Sequence, residues 1–226
     1  MTRRSYHQQC GLAFALEVVG ERWTMLIVRE LELGPKRFTD LAQRLPAMGR
    51  NLLTERLRQL ESHGVITSEA RRYTLTPLGK DLQPALDALL LWGLRLPDTG
   101  APDRTANPVW AALAMRAAGN PDACRAVHAC CELRIDDQRL VVEMNDGTVT
   151  LIEGPPSATP AAIATCDSDT FLCLGDRKLT VDEAITTGAV QLQGDPEVLR
   201  ICFQVLHLPS SSSGRAISRE ARPRIG

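Results

Sequence analysis

The side chains best suited to chemistry are most concentrated between residues 49 and 64, in the stretch GRNLLTERLRQLESHG. Leu53, Leu57 and Leu60 recur at i, i+4 and i+7, so one face of a helix would be apolar. The polar residues that stand between these leucines are Arg50, Asn51, Thr54, Glu55, Arg56 and Arg58. Asparagine and arginine are shaped for paired hydrogen bonds to adenine and guanine edges, and the first turns of a recognition helix reach the bases. The stretch therefore predicts a DNA-reading helix, although the same pattern also fits a solvated face on an ordinary core helix.

The elements around this stretch favour the first interpretation. Apolar residues at helical spacing predict three earlier helices, over residues 10–19, 22–33 and 38–45. After Gly64 the apolar period changes from 3.6 to 2, so residues 65–67 and 73–75 are expected to form two strands. The charged turn between them carries Arg71 and Arg72 at or near its tip. A helix-turn-helix followed by a basic hairpin is a winged helix, whose arginines would contact phosphates.

A long helix is predicted from Pro77 to residue 96, in the segment PLGKDLQPALDALLLWGLRL. Its apolar stripe consists of Leu82, Leu86, Leu89, Leu90 and Trp92. So wide a stripe could pack on its own domain or on a second subunit. We favour the second subunit, because DNA readers with one helix per groove usually pair to span two half-sites.

Residues 10–93 resemble the HxlR family of bacterial winged-helix transcription regulators. The matching segments are Cys10 before the first helix, GERWTMLIVREL, GPKRFTDL, NLLTERLRQLESHGVI, and YTLTPLGKDLQPAL ending in Trp92. The resemblance implies a homodimer that binds double-stranded DNA at an operator with dyad character, with Trp23 in the structural core. The residues that it places in the groove are Arg50, Asn51, Thr54, Glu55 and Arg58. Three further arginines complete the predicted DNA-binding set: Arg37, Arg71 and Arg72.

The chain departs from the family pattern at two points. The hairpin between Ile66 and Tyr73 is shorter than is usual in the family. Minor-groove contact by the wing therefore does not follow from the resemblance. Gly49 and Arg50 stand where a Ser-Pro helix start is common. The helix cap would therefore be weaker, and Arg50 would compensate as a phosphate ligand.

Cys10 has two interpretations. Some members of the family sense electrophiles or oxidants through a cysteine near this position, and such a thiol should be partly exposed and electropositive. The alternative is a small buried hydrophobic residue at a helix start. The other six cysteines lie in the second half, in an odd total of seven with irregular spacing. With no apolar signal segment after Met1, this usage predicts reduced thiols and a cytoplasmic location.

Length and charge place these elements in a two-domain chain. The 226 residues suit two modest domains, and the 44% apolar fraction is enough for a core in each. Residues 1–100 carry 14 basic against 11 acidic side chains, and residues 101–226 carry 12 against 16, so the basic half is the predicted DNA-binding half. No apolar run approaches the roughly 18 residues of a membrane span, and no membrane contact is expected.

The second half begins after a linker, residues 98–108, that is rich in proline and without periodicity. A helix is predicted over 109–118, then alternating strands that include a hairpin turn at Asn145-Asp146-Gly147. Thr180 and Glu183 form a capping box, and Asp195-Pro196 start a final helix. The expected fold is an α+β domain with an antiparallel sheet over 109–208. Residues 209–226 are expected to be a disordered tail.

Residues 109–208 resemble sterol-carrier-protein lipid-binding domains, through the NDGTVTLIEG hairpin, the segment TFLCLGDRKLTVDEAITTGAVQLQGD and the closing apolar helix. The resemblance implies a sheet covered by helices over an apolar cavity, and hence a small apolar ligand. Individual contacts do not follow from it. The residues that we place in such a lining are Trp110, Met144, Phe171 and Phe203. Plain core packing is the alternative at each of them.

Catalysis and metal binding are not predicted. Cys124, His128, Cys130 and Cys131 lack paired CxxC spacing, and neighbouring strand residues face opposite sides of a sheet. No nucleophile, base and orienting group assemble, and no cofactor motif is present. The prediction is a cytoplasmic dimeric transcription regulator, without a cofactor, whose back half binds an apolar effector or stabilises the dimer. Two alternatives are a lipid carrier whose front half only dimerises and a Cys10 thiol switch.

Overall fold

The structure is a computed structural model that describes residues 5–97 and 107–208. It divides into two compact units, Met1–Leu86 and Asp87–Gly226. Most of the predicted linker and the whole predicted tail, 209–226, lie outside the described residues. The predicted domain boundary at residue 97 stays a prediction, since the two compact units meet ten residues earlier, inside a helix.

The first unit is mainly helical. Its elements are α1 (Gly11–Val19), α2 (Thr24–Glu32), β1 (Lys36–Arg37), α3 (Phe38–Arg44), α4 (Arg50–Ser62), β2 (Ile66–Glu69), β3 (Arg72–Leu75) and α5 (Pro77–Lys80), with the start of α6 (Gln83–Leu94). The four helices predicted up to residue 64 are confirmed, with ends shifted by at most two residues. Leu53, Leu57 and Leu60 of α4 are all buried, so the apolar stripe read from the sequence is the face that packs on the core.

The core of this unit joins α2, α3 and α4 to the hairpin. Its fully buried members include Ile27, Val28, Leu41, Leu53, Leu60 and Ile66. Trp23 packs against this core, as expected, but it is partly exposed and has a left-handed backbone, φ 79°. Such a conformation is costly for an aromatic residue. It ends the α1–α2 connection and lets α2 begin at Thr24.

The hairpin belongs to a three-stranded sheet of order β1-β3-β2. The sequence did not predict β1, because two residues are too few to display a period-2 pattern. Lys36 pairs with Tyr73 and Arg37 pairs with Arg72. At the tip, Ala70 and Arg71 have φ of 47° and 64°, the conformation of a two-residue turn that matches the twist of its strands.

The single long helix predicted from Pro77 is wrong. The structure has two helices, α5 and α6, separated at Asp81 and Leu82. Pro84 explains the break, because its ring would clash with the carbonyl of Lys80 in a continuous helix and it has no N–H to donate. At the second position of α6 the same proline is tolerated, since that N–H would have no partner in the helix.

The second unit is an α+β domain. Its elements are the rest of α6, α7 (Pro108–Ala118), a 3-10 turn (Pro121–Cys124), β4 (His128–Ile135), β5 (Gln138–Asn145), β6 (Thr148–Glu153), β7 (Ala162–Cys166), α8 (Ser168–Gly175), α9 (Val181–Thr186), β8 (Gln191–Gly194) and α10 (Pro196–Val205). Thr180 and Glu183 form the predicted capping box, and Asp195 caps α10. The turn at Asp146 and Gly147, which joins β5 to β6, is also confirmed.

The sheet of this unit has the order β6-β5-β4-β7-β8 and is mixed. The expected antiparallel sheet is therefore wrong at one pairing, since β7 lies parallel to β4, with Leu133 beside Ala164. The chain enters β7 from the proline-rich loop 154–161, and this loop carries it back to the start of β4. Among residues 5–97 and 107–208, no helix is both long and apolar enough to cross a membrane.

Candidate nucleic-acid interface

The outer face of α4 is a line of exposed polar side chains. Asn51, Thr54 and Arg58 are exposed and recur at i, i+3 and i+7, opposite the buried leucine stripe. Positions with this spacing share one face of a helix. In the described part of the chain, the side chains of Asn51 and Arg58 have no hydrogen-bond or ion-pair partner. Their donors and acceptors are therefore available to an outside molecule.

Arg50 is the first residue of α4, and a contact with α3 fixes its position. Gly49 provides no side-chain cap, which agrees with the weak helix start expected from the sequence. The guanidinium carbon of Arg50 lies 5.3 Å from the centroid of the Phe38 ring. A cation over an aromatic face at this distance is attracted by the electron-rich ring. Arg50 is thus exposed but restrained beside the start of the helix.

Thr54 and Glu55 are both engaged within the helix. The Thr54 hydroxyl donates to the backbone carbonyl of Arg50 at 3.0 Å. Oε1 of Glu55 accepts a hydrogen bond from Gln59 at 3.2 Å and lies 3.6 Å from a guanidinium nitrogen of Arg56. The Glu55 carboxylate is thus directed along α4. Its predicted place in the groove stays a prediction.

Arg56 does not belong to the outer face on which the sequence placed it. Only 9% of this residue is exposed. Its guanidinium donates to Glu21 at 2.9 Å and to Gln59 at 2.9 Å. The ion pair ties the middle of α4 to the connection between α1 and α2. Arg56 is thus a structural residue that a polarity pattern cannot tell from a DNA contact, since helical periodicity alone leaves it at the edge of the buried stripe.

Arg37, Arg71 and Arg72 lie on the three-stranded sheet and are all exposed. Arg37 and Arg72 are directly paired across β1 and β3, and Arg71 forms the turn beyond them. Like charges on paired strand positions repel each other unless a counter-charge is near. Glu69 is the other strand partner of Arg72. The three arginines therefore form a compact cationic surface. A phosphate bound there would reduce the repulsion between Arg37 and Arg72.

Lys36 adjoins this surface but faces inward. It is 7% exposed, and its Nζ donates to the Leu33 carbonyl at 3.3 Å. Burial lowers the pKa of Lys36 to about 8, a change that nearby Glu30 partly opposes. A buried ammonium contributes little to an electrostatic contact with phosphate. The exposed positive charge of this edge comes from the three arginines.

Cys10 occupies the N-cap position of α1 and is exposed. Backbone N–H groups of Ala13 and Leu12, in the first turn of α1, lower the pKa of its thiol. The other cysteines differ: Cys124, Cys131 and Cys202 are buried, and burial raises the pKa of Cys166 to about 12. Exposure and a lowered pKa are two features that reactive thiols share. The alternative of a buried cysteine is wrong.

The residues proposed for an apolar lining lie in or near the core of the second unit. Met144 and Phe171 are fully buried, Phe203 is nearly so, and Trp110 is partly exposed. The rings of Phe171 and Phe203 are 6.0 Å apart between centroids and tilted by 60°. These positions fit core packing, and their contact with a ligand stays a prediction.

The cysteines around residue 130 do not come together. Cys131 is buried and Cys130 is half-buried, because neighbouring residues of β4 face opposite sides of the sheet. Within residues 5–97 and 107–208, no group of three or more His, Cys, Asp or Glu side chains could hold a metal ion.

Comparisons with known proteins agree with this division of the chain. A family model described as HxlR-like helix-turn-helix matches residues 18–99, and one described as the SCP-2 sterol transfer family matches residues 111–206. An uncharacterized HTH-type transcriptional regulator of Methanothermobacter thermautotrophicus is 36% identical over 91 residues, which are 37% of this chain and 70% of that protein. The regulator YtcD of Bacillus subtilis is 35% identical over 100 residues, 41% of this chain and 78% of YtcD.

Two further similarities are more limited. The regulator Rv3095 of Mycobacterium tuberculosis is 43% identical over 86 residues, which are 35% of this chain and only 54% of that protein. The crystal structure of quinone-bound YodB from B. subtilis is 32% identical, with 38% of this chain and 97% of YodB covered, at a TM-score of 0.36. The three regulators each match 35–41% of this chain, and a separate family model matches residues 111–206. The chain belongs to the HxlR-like helix-turn-helix family of transcriptional regulators, and behind that domain residues 111–206 match the SCP-2 sterol transfer family model.

Proposed function

We propose that this protein is a homodimeric regulator that reads a dyad-symmetric operator with α4, and that an apolar effector bound in the second unit modulates its affinity for DNA. The observation that supports DNA reading most directly is the exposed line of Asn51, Thr54 and Arg58 opposite a buried leucine stripe. Asn51 lies in the first turn of α4 and Arg58 in the third, so the line offers an amide and a guanidinium along most of the helix.

The two kinds of contact divide between the helix and the wing. Asn51 and Arg58 would read base edges, because an amide matches adenine and a guanidinium matches guanine in the major groove. Arg50, held beside Phe38, would contact a phosphate next to the groove. Arg37, Arg71 and Arg72 would contact the flanking phosphates, which adds salt-dependent affinity but little sequence preference.

The proposed dimer rests on exposed apolar helix faces. In α1, Leu12, Phe14 and Leu16 are 67%, 55% and 40% exposed. In α6, Leu89 and Trp92 are 49% and 58% exposed. Large apolar side chains exposed on α1, where only Ala13 is buried, and separately on α6 mark each helix as an interaction surface. A second copy is the partner that fits, because a dyad operator needs two recognition helices ~34 Å apart.

Footprinting of the DNA that flanks the gene, followed by titration of the protected fragment, tests this function. We expect protection of a sequence with dyad character and an affinity at least ~10³-fold above that for scrambled DNA at equal salt concentration. Equal binding of both DNAs at every salt concentration would contradict sequence-specific reading.

The effector role follows from the SCP-2 sterol transfer family match of residues 111–206. Within residues 107–208 no large apolar side chain is exposed, so this stretch offers no apolar face for a second subunit. The proposed lining consists of Trp110, Met144, Phe171 and Phe203. A ligand shifts DNA affinity only if it binds the DNA-competent and the incompetent states unequally.

Titration of the operator with and without a saturating sterol or long-chain fatty acid tests the effector role. We expect affinity for the operator to change by ~5- to 150-fold, the usual range of allosteric coupling. A Phe203→Leu variant, which keeps the core apolar but changes the shape of the proposed site, should alter that response while its affinity for the operator without ligand stays the same. Unchanged operator affinity with ligand demonstrably bound would remove the effector role and leave DNA reading intact.

Cys10 supports a second candidate function, a thiol switch. Its exposure and its lowered pKa at the start of α1 are the observations in favour. We expect iodoacetamide to alkylate Cys10 at least ~10-fold faster than any other cysteine in the native protein, since the thiolate is the reacting species. Peptide mass spectrometry over a time course measures this.

The corresponding variant separates reactivity from regulation. If Cys10 is the switch, Cys10→Ser should bind the operator normally and lose its response to peroxide or quinone. A response that Cys10→Ser retains would eliminate the switch, whatever the alkylation rate. The matched control is Cys166→Ser, because burial raises the pKa of that thiol to about 12 and keeps it unreactive.

A further inference from the structure

The side chain of Thr54 shows an apolar group to the proposed groove. Its hydroxyl donates to the carbonyl of Arg50, one helical turn back, at 3.0 Å. The residue is nevertheless exposed. Because the hydroxyl is bonded to the backbone, the γ-methyl is the side-chain group left for contact with an outside molecule. The sequence alone would rank this threonine as one more polar contact.

Within the exposed line of Asn51, Thr54 and Arg58, Thr54 is the one residue whose side chain ends in a methyl group. Asn51 precedes it by three residues and Arg58 follows it by four, and both are exposed and polar. The major groove likewise has one apolar group, the 5-methyl of thymine. We infer that Thr54 is a specificity-determining residue that selects thymine through methyl–methyl contact, an inference that rests on the proposed DNA-reading function of α4.

The position of this thymine follows from the helix. Residues three apart rise by about 4.5 Å along a helix, and base pairs are about 3.4 Å apart. The thymine should therefore lie one or two base pairs from the adenine that Asn51 contacts, once in each half-site. The carboxylate of Glu55 does not compete for that place, since Gln59 and Arg56 engage it along α4.

Selection of operators from random DNA, followed by replacement of each thymine with deoxyuracil, tests the inference with the full-length protein. Deoxyuracil pairs like thymine but has no 5-methyl group. We expect the wild type to lose ~4-fold in affinity when the thymine at one Thr54 contact is replaced, and ~15-fold when both half-sites are changed. Each loss corresponds to the binding free energy of burying one methyl-sized group. Other thymines of the operator should tolerate the change.

Two variants make the test specific. Thr54→Ser retains the hydroxyl but has no methyl, so it should bind thymine and deoxyuracil operators equally. Thr54→Val retains a methyl, and the Arg50 carbonyl keeps its helical N–H partner, so thymine preference should persist. Thymine preference that survives in Thr54→Ser, or that is absent from the wild type on a selected operator, would overturn the inference. Failure to enrich any sequence would instead overturn the DNA-reading function itself.

Discussion

Replacing Arg58 with alanine is expected to lower operator affinity by on the order of 10²- to 10⁴-fold. A paired contact between a guanidinium and guanine contributes ~1–3 kcal/mol of discrimination, and a dimer loses the contact in both half-sites. Arg58 is exposed and has no partner in the described part of the chain, so its removal breaks nothing within the fold. Asn51→Ala should lower operator affinity to a similar extent, because it removes the proposed contact with adenine. Fluorescence anisotropy against operator and scrambled DNA measures both.

The controls separate base reading from general electrostatics. Lys80→Ala removes an exposed cation of α5 and should leave affinity unchanged. Arg71→Ala, at the tip of the wing, should weaken operator and scrambled DNA alike and reduce the slope of log affinity against log salt by ~1 per contact. If Arg58→Ala lowers affinity for operator and for scrambled DNA equally, Arg58 contacts a phosphate and not a base. Unchanged affinity in both Asn51→Ala and Arg58→Ala would favour the lipid carrier whose front half only dimerises.

Helix α4 could be predicted because its apolar pattern is local. Leu53, Leu57 and Leu60 recur with helical period, and burial on the core enforces the same period. Arg56 could not be placed in this way. Its side chain turns inward to Glu21, 35 residues earlier, and no local pattern contains that partner.

Three other features of the fold were not predicted. Two depend on contacts between distant parts of the chain, and one had a local signal that was overlooked. Pairing of β4 with β7 depends on where a long loop returns the chain, so the parallel pair was not apparent from alternation of residues. The pair of β1 with β3 is set by tertiary contact over two residues only. The break before α6, in contrast, was readable, because Pro84 lies inside the stripe that was interpreted as one helix.

Replacing Phe14 with aspartate is expected to convert the protein from dimer to monomer. Phe14 is 55% exposed on α1, a helix in which only Ala13 is buried. Burial of a phenylalanine contributes ~1.5–3 kcal/mol, and dyad symmetry counts it twice, so the dimer dissociation constant should rise by at least ~10²-fold. Analytical ultracentrifugation over a concentration series measures this. Phe14→Leu, which keeps the face apolar, is the matched control and should remain dimeric.

The same variant links dimerisation to operator reading. Because Phe14 is largely exposed within one chain, the charged side chain should leave the fold of the monomer intact, which circular dichroism checks. Affinity for a single half-site should then equal that of the wild type. Affinity for the full operator should fall to the half-site value, because only a dimer holds its second subunit at a high effective concentration beside the second half-site. A Phe14→Asp protein that remains dimeric would show that α1 is not the paired face. One that is monomeric yet binds the full operator normally would show that each chain reads DNA alone, and the dyad requirement would then be withdrawn.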